Sequence, residues 1–189
     1  MLDFAYIGHY VLRKKARPIE RIDESILVLI EQIKQLAAIH DNAAAIAAPQ
    51  VGASIRLVVI YPLIPDPVAR RMRRGEPKVY INPELTDPSD ETDVEDEGCM
   101  SLPKLYAPVQ RPIAITVSYQ DETGAHHTER LKGFPARAIM HENDHLNGVL
   151  FIDRLAPKDK KRFAKEIEWL KKHYKKHNER LKLWNPEGA

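Results

Sequence analysis

In the stretch MHENDHLNG, from Met140 to Gly148, two histidines stand four positions apart with a glutamate directly after the first. Four residues is about one helical turn, so on a helix His141 and His145 project from the same face. Two neutral imidazoles placed in this way can ligate one divalent ion, with Glu142 beside any water that ion holds. A catalytic ion needs three protein ligands and one open position. One candidate for the third is the single cysteine, Cys99, in EDEGCMSLP. A lone cysteine is most often a small buried hydrophobe, yet this one follows Gly98 in a polar, turn-like stretch rather than an apolar run. The other candidate is Glu166, 21 positions beyond His145, a distance at which some metalloproteases place a glutamate. Glu166 lies among lysines and reads more simply as a solvated surface residue.

A further segment separates these readings. NAAAIAAPQVG, from Asn42 to Gly52, together with EGCMSLP and HENDH, resembles the three signature segments of the peptide deformylases, in the same order and at about the same spacings. The likeness extends from LRKKARPIE near the start, through INPEL, to GVLFIDRL after the histidines, and an ordered triple is far more specific than any one motif. The resemblance implies that Cys99, His141 and His145 are the metal ligands and that Glu142 is the general acid–base. It implies that Gln50 and the backbone N–H of Met100 hold the substrate oxygen. Gly98 and Ala45 would flank the peptide backbone, and Ala44, Phe134 and Ala138 would shape the side-chain pocket. The implied reaction is hydrolysis of the N-formyl group from nascent peptides that begin with formyl-methionine, releasing formate. By ligand type alone a Cys-His-His set suits zinc. The resemblance points instead to ferrous iron as the native ion, with zinc and nickel as substitutes.

The residue chemistry fits that reaction. Amide hydrolysis needs a strong nucleophile at neutral pH, and a divalent ion lowers the pKa of bound water enough to furnish hydroxide. Glu142 can take the water's proton and later deliver it to the departing amine. The negative oxygen of the tetrahedral intermediate is stabilised by the ion, an amide side chain and a backbone N–H. Two positions depart from the family pattern: Ala43 and Ala45 stand where glycine is usual, so each extra methyl is expected to crowd the peptide or change the loop's dihedrals. A peptidase of the HExxH type is the rival enzyme reading and needs neither Cys99 nor Gln50. A non-catalytic protein that keeps the fold as a binding module is the rival outside enzymology, and the two alanines are its only support.

The elements that must position these residues follow from periodicity. From Asp23 to Ile39, apolar residues at Ile26, Leu29, Ile30, Ile33, Leu36 and Ala37 have helical spacing, with Asp23 placed as the cap. IRLVVIY and KVYIN read as strands, and the segment between them, PLIPDPVARRMRRGEP, reads as a Pro-rich basic loop. IAITVSYQ and HHTERLKG flank the turn-like DETGA, a hairpin with His126 and His127 exposed on it. A helix is expected from about Pro135 to Asn147, with Gly148 near its stop, and Ile139 and Leu146 supply its apolar contacts. The acidic SDETDVEDEG reads as a solvated loop, except that Glu97 belongs to the motif and is expected to orient its neighbours. Arg111 is placed near the substrate channel. Arg70, Arg71, Arg73 and Arg74 read as a solvated basic loop able to meet an anionic partner. Helices at the start and end with strands between them predict an α+β fold, antiparallel strands packed around the central histidine-bearing helix.

At 189 residues, 43% hydrophobic and 30% charged, the chain suits a globule with a real core. We expect a catalytic domain over 1–156 and a basic helix and tail over 157–189. A net charge of +2 does not by itself imply nucleic-acid binding, and no apolar run approaches a membrane span, so neither DNA nor membrane is expected as a partner. The first twenty residues do not read as a secretory signal, and one cysteine permits no intramolecular disulfide. A cytoplasmic, reducing setting is the expectation. From Phe163 through Ile167 and Leu170 to Tyr174, apolar residues mark an amphipathic helix. Between Lys158 and Lys182 eleven Lys/Arg meet four Asp/Glu, a local charge of +7. Besides covering the core, so cationic a segment can hold a nascent-chain enzyme near ribosomal RNA. On this reading, removal of residues after about Lys171 leaves small-peptide turnover largely intact.

Overall fold

A computed structural model describes residues 2–40, 43–66 and 71–186. Helix α1 spans Glu24–Ala38, and its cap is Asp23, whose side chain accepts from the N–H of Ile26. All six periodic apolar residues of α1 are buried. Among the described residues nine strands follow in order: β1 Ala45–Ala47, β2 Leu57–Ile60, β3 Leu63–Asp66, β4 Arg71–Arg74, β5 Lys78–Thr86, β6 Thr92–Cys99, β7 Leu102–Pro112, β8 Ala114–Gln120 and β9 His126–Lys132. Helix α2 is Phe134–Leu146, and the C-terminal pair is α3 Pro157–His173 and α4 Lys175–Asn178. The fold is α+β, as expected from the sequence.

One antiparallel sheet has the order β1-β2-β5-β8-β9, and β3-β4 and β6-β7 form separate two-stranded ribbons. The continuous apolar run of β2 is buried along its whole length because both faces are covered. Leu57 and Val59 face Leu29, Ile30 and Ile33 of α1, whereas Val58 and Ile60 join Ile139, Met140 and Leu146 of α2. Alternation with period two thus delivers one strand to two helices. Ile139 and Leu146 are fully buried, which fixes the polar face of α2 toward the remaining ribbon.

Two segments differ from expectation. The Pro-rich basic stretch contains a ribbon, β3 paired with β4 in the register Pro65↔Met72, rather than an irregular loop. A two-stranded ribbon has an open edge on each side, where a proline's missing N–H costs no ladder bond. Arg74 is no solvated cation: it donates to the carbonyls of Ala37, His40 and Ala43 at the end of α1 and lies over the Tyr61 ring. Arg70 and Asn42 lie outside the described residues. The acidic stretch is also not a loop. It forms β6, paired with β7 from Thr92↔Pro112 to Gly98↔Tyr106. Its acids are mostly exposed, and the apolar side chains on β7 (Leu102, Leu105, Ala107 and Val109) anchor the ribbon to Phe151 and Leu155.

The C-terminal segment is shorter in helix than its charge pattern suggests. After α4 the chain turns back along the N-terminal residues, and Trp184 packs with the cluster around α1. Tyr174 and Leu181 pack with the cluster around β7, and the Tyr6 and Tyr174 rings stack at 3.9 Å. Cutting after Lys171 would uncover these contacts, so such a truncation is expected to destabilise the whole protein rather than leave it intact.

Candidate metal centre and active site

Cys99 ends β6 at an irregularity in the ribbon: pairing passes from Gly98↔Tyr106 to Cys99↔Leu102, which tightens the turn and redirects the thiol toward α2. There Cys99 Sγ lies 3.2 Å from Nε2 of His145. One donor atom from each of Cys99, His141 and His145 falls within 4.8 Å of the others. Zinc-like bonds of about 2.3 Å to sulfur and 2.0–2.1 Å to nitrogen would be spanned by such separations, so the three fit a single divalent ion. Glu166, by contrast, is exposed on α3.

The orientation of each group has an identifiable cause. His141 places Nδ1 2.8 Å from a Glu97 carboxylate oxygen, which leaves Nε2 for the cysteine side. Glu97 is itself gripped by Arg111 through two bonds, at 2.6 and 2.8 Å, and by Arg137 at 2.7 Å. Arg111 also reaches Asp144 at 2.9 Å, and Arg154 closes on the same carboxylate from outside. Burial alone would raise the Glu97 pKa, but the bonds from Arg111 and His141 outweigh it and hold this carboxyl ionised far below the usual range. Burial likewise opposes protonation of His141, and its contacts with Cys99 and Glu97 reverse that effect and raise it. His145, buried and facing His141, is driven well below the ordinary histidine value and is therefore a neutral imidazole, the form that ligates metals. Its Nδ1 has no hydrogen-bond partner among the described residues.

Glu142 is buried beside His141, and its Oε2 has no hydrogen-bond partner among the described residues. Burial pushes its pKa up to about 7, the range in which a carboxyl can both accept and release a proton near neutrality. Gln50 sits in a 3-10 turn over Ala48–Val51, which Gly52 ends with a left-handed φ of 83°. The N–H of Ala47 donates to Gln50 Oε1 at 2.8 Å, which turns Nε2 toward Cys99 Sγ at 3.4 Å and Ser101 Oγ at 3.5 Å. Its amide hydrogens therefore face the same space as Glu142 and the thiol.

These groups line a cleft of about 240 Å³ together with Ala44, Ala45, Gly98, Met100, Phe134 and Ala138. His145 is not among the lining residues; it is buried, with Nε2 3.2 Å from Cys99 Sγ. Gly98 lets the Tyr106 ring approach its backbone closely: an added Cβ would lie 2.4 Å from that ring and displace it. Neither Ala43 nor Ala45 has a positive φ, so the residues in place of glycine are unstrained, and what remains of the substitution is the volume of two methyl groups. Arg111 is a correction: it is 3% exposed and stands behind His141 rather than along the channel. Arg137 was not anticipated. It lines the cleft and braces Glu97, and its place one turn before His141 on α2 was the available signal. His126 and His127 are exposed on the hairpin.

A family model described as polypeptide deformylase matches residues 1–161. Among curated relatives, the peptide deformylase of Novosphingobium aromaticivorans is 38% identical over 175 residues, covering 85% of this chain and 92% of the relative. That of Thermotoga neapolitana is 39% identical over 150 residues, covering 79% and 84%. A plant peptide deformylase structure superposes with a TM-score of 0.83 at 33% identity, covering 93% of this chain and 92% of the other. The Synechococcus elongatus enzyme, solved in complex with actinonin, gives 0.76 at 36% identity, with 87% of each chain covered.

Proposed function

Since the chain belongs to the polypeptide deformylase family and is a hydrolase acting on the N-formyl group, we propose that its Cys99, His141 and His145 hold one divalent ion for that reaction. The observation that carries this reading is the convergence of three donor atoms within 4.8 Å, two of them on residues that line a cleft, beside a buried carboxylate with an unpartnered oxygen. Ferrous iron is the native ion in this proposal, with zinc or nickel able to replace it. When bound, the ion supplies a Lewis acid that acidifies water and polarises the formyl carbonyl.

The chain's own groups do the rest. The formylated peptide lies extended between β1 and Gly98. β1 is the edge of the five-stranded sheet, so its outer backbone groups near Ala45 are available to a substrate strand. The methionine side chain enters the apolar part of the cleft among Ala44, Phe134 and Ala138. Glu142 accepts the proton of the water whose oxygen bonds to the formyl carbon. Gln50 Nε2 and the N–H of Met100 donate to the oxygen that becomes negative as the carbonyl is lost. Glu142 then protonates the amine nitrogen as the C–N bond breaks, leaving formate and a free amino terminus. Metal analysis of anaerobically prepared protein tests the ligand set: about one divalent ion per chain is expected, with severe loss in Cys99→Ala. A full complement in that variant would reassign the site.

Ala45 offers a specificity test. Its methyl stands on the edge that receives the peptide backbone, so Ala45→Gly is expected to change KM or side-chain preference on formyl-Met-Ala-Ser. An unchanged profile would show that the Ala45 methyl is accommodated freely.

We also propose that the cationic face of α3 engages ribosomal RNA phosphates. Lys161, Lys165 and Lys172 are exposed on that helix. Their joint replacement by Glu should weaken ribosome co-sedimentation and flatten its salt dependence while leaving peptide turnover unchanged. Equal co-sedimentation at low salt would reduce α3 to a covering helix.

A further inference from the structure

Residues 4–7 run between the two segments that carry the proposed oxyanion donors. The N–H of Ala5 donates to the carbonyl of Gln50 at 2.7 Å, and the N–H of Ile7 donates to the carbonyl of Ser101 at 2.8 Å. Ser101 directly follows Met100, so this short extended stretch ties the Gln50 turn to the Met100 peptide. Phe4, Ala5 and Ile7 are buried, and the backbone N–H and carbonyl of the intervening Tyr6 turn instead to the opposite edge.

That opposite edge is held by one side chain from the far end of the chain. Asn178 Oδ1 accepts from the N–H of Tyr6 at 3.0 Å, and Nδ2 donates to the carbonyls of Tyr6 at 3.0 Å and Ile7 at 3.3 Å. A primary amide is the side chain that can accept from and donate to the same peptide unit's neighbours at once. The adjacent His177 places Nε2 2.9 Å from the carbonyl of Phe4, and the backbone N–H of Trp184 donates to the carbonyl of Gly52 at 3.3 Å, two residues past Gln50. The tail therefore grips the 4–7 stretch on one side while that stretch grips both donor segments on the other.

We propose that Asn178 is a positioning residue for deformylation, setting the spacing of the Gln50 amide and the Met100 N–H through the backbone of Ala5–Ile7. The inference rests on the reading of Gln50 and Met100 as oxyanion donors. Donors that must meet a charge formed only in the transition state are sensitive to small displacements, whereas ground-state binding of the peptide is not. Loss of the Asn178 amide therefore lowers kcat and leaves KM nearly unchanged.

A double-mutant cycle tests this on the full-length, metal-loaded protein with a formylated tripeptide, alongside thermal unfolding and metal content. Gln50→Ala is expected to lower kcat about 100-fold or more. Asn178→Ala is expected to lower it about tenfold with metal retained, and to add little in the Gln50→Ala background. Asn178→Asp, whose carboxylate keeps the acceptor for the Tyr6 N–H and loses the two donated bonds, should fall between and supplies the measurement if the alanine variant folds poorly. Unchanged kcat in Asn178→Ala and Asn178→Asp, or a loss that multiplies fully with that of Gln50→Ala, overturns the positioning role. Unchanged kcat in Gln50→Ala overturns the donor reading beneath it instead.

Discussion

Glu142→Gln is expected to keep its metal and lose about 10²–10⁴-fold in turnover. The substitution preserves volume and leaves the Cys99, His141 and His145 donor atoms in place, so neither folding nor metal content should suffer. What disappears is a carboxyl that burial holds near neutrality, with Oε2 free of any hydrogen bond among the described residues. An amide in the same position cannot take the water's proton, nor can it deliver one to the departing nitrogen. In the proposed mechanism one group serves both steps, so the loss is expected to fall on kcat rather than KM. Side-by-side kinetics and metal analysis check it, and a variant retaining a tenth or more of the turnover with full metal would remove Glu142 from the proton path.

The largest effect on stability is expected at Arg111. Its guanidinium is 3% exposed and joins Glu97 to Asp144, two carboxylates that are themselves buried. Arg111→Leu fills similar space but leaves both carboxylates facing each other with one cation fewer. Breaking a buried ion pair by removing one partner costs about 3–5 kcal/mol, which for a chain of this size lowers Tm by roughly 10 °C. Arg137 keeps one bond to Glu97 and Arg154 two to Asp144, which places the expected cost toward the lower end. The exposed Lys171–Glu168 pair is the control, and Lys171→Ala should leave the midpoint unmoved. A fall in Arg111→Leu no larger than that of the control would mean that the cluster contributes orientation without stability. The orientation can be read separately: with Glu97 loosened, His141 loses its fixed Nδ1 contact and metal affinity falls.

How much of this was legible in the sequence depends on whether the signal is local. Helix α1 carries its cap and its six buried residues within sixteen positions, and the β8-β9 hairpin carries its turn between its strands, so both could be read directly. The helix bearing His141 and His145 was legible for the same reason. β6 was not. Its acids have low strand propensity, and the strand exists because β7, which is anchored by Leu105 and Val109, pairs with it along its length. The β3-β4 ribbon was hidden by prolines whose harmless position at an open edge is visible only once the pairing is known. Arg111 illustrates the limit for the site. It lies 14 positions from Glu97 and 33 from Asp144, and no periodic pattern connects the three. The tail's grip on Tyr6 spans 172 positions and is likewise a property of the folded chain alone.

Formate release from formyl-Met-Ala-Ser, measured anaerobically before chelation, after chelation and after return of ferrous iron, tests the central claim most directly. Cysteine ligation makes oxidation a route of inactivation, so exclusion of oxygen is part of the measurement. The expected result is that formate production stops when the ion is removed and returns in proportion to the ion rebound, with no recovery in Cys99→Ala. Undiminished formate release from the chelated protein, or none from the anaerobic protein with one ion bound per chain, would contradict a Cys99–His141–His145 centre that hydrolyses the formyl group.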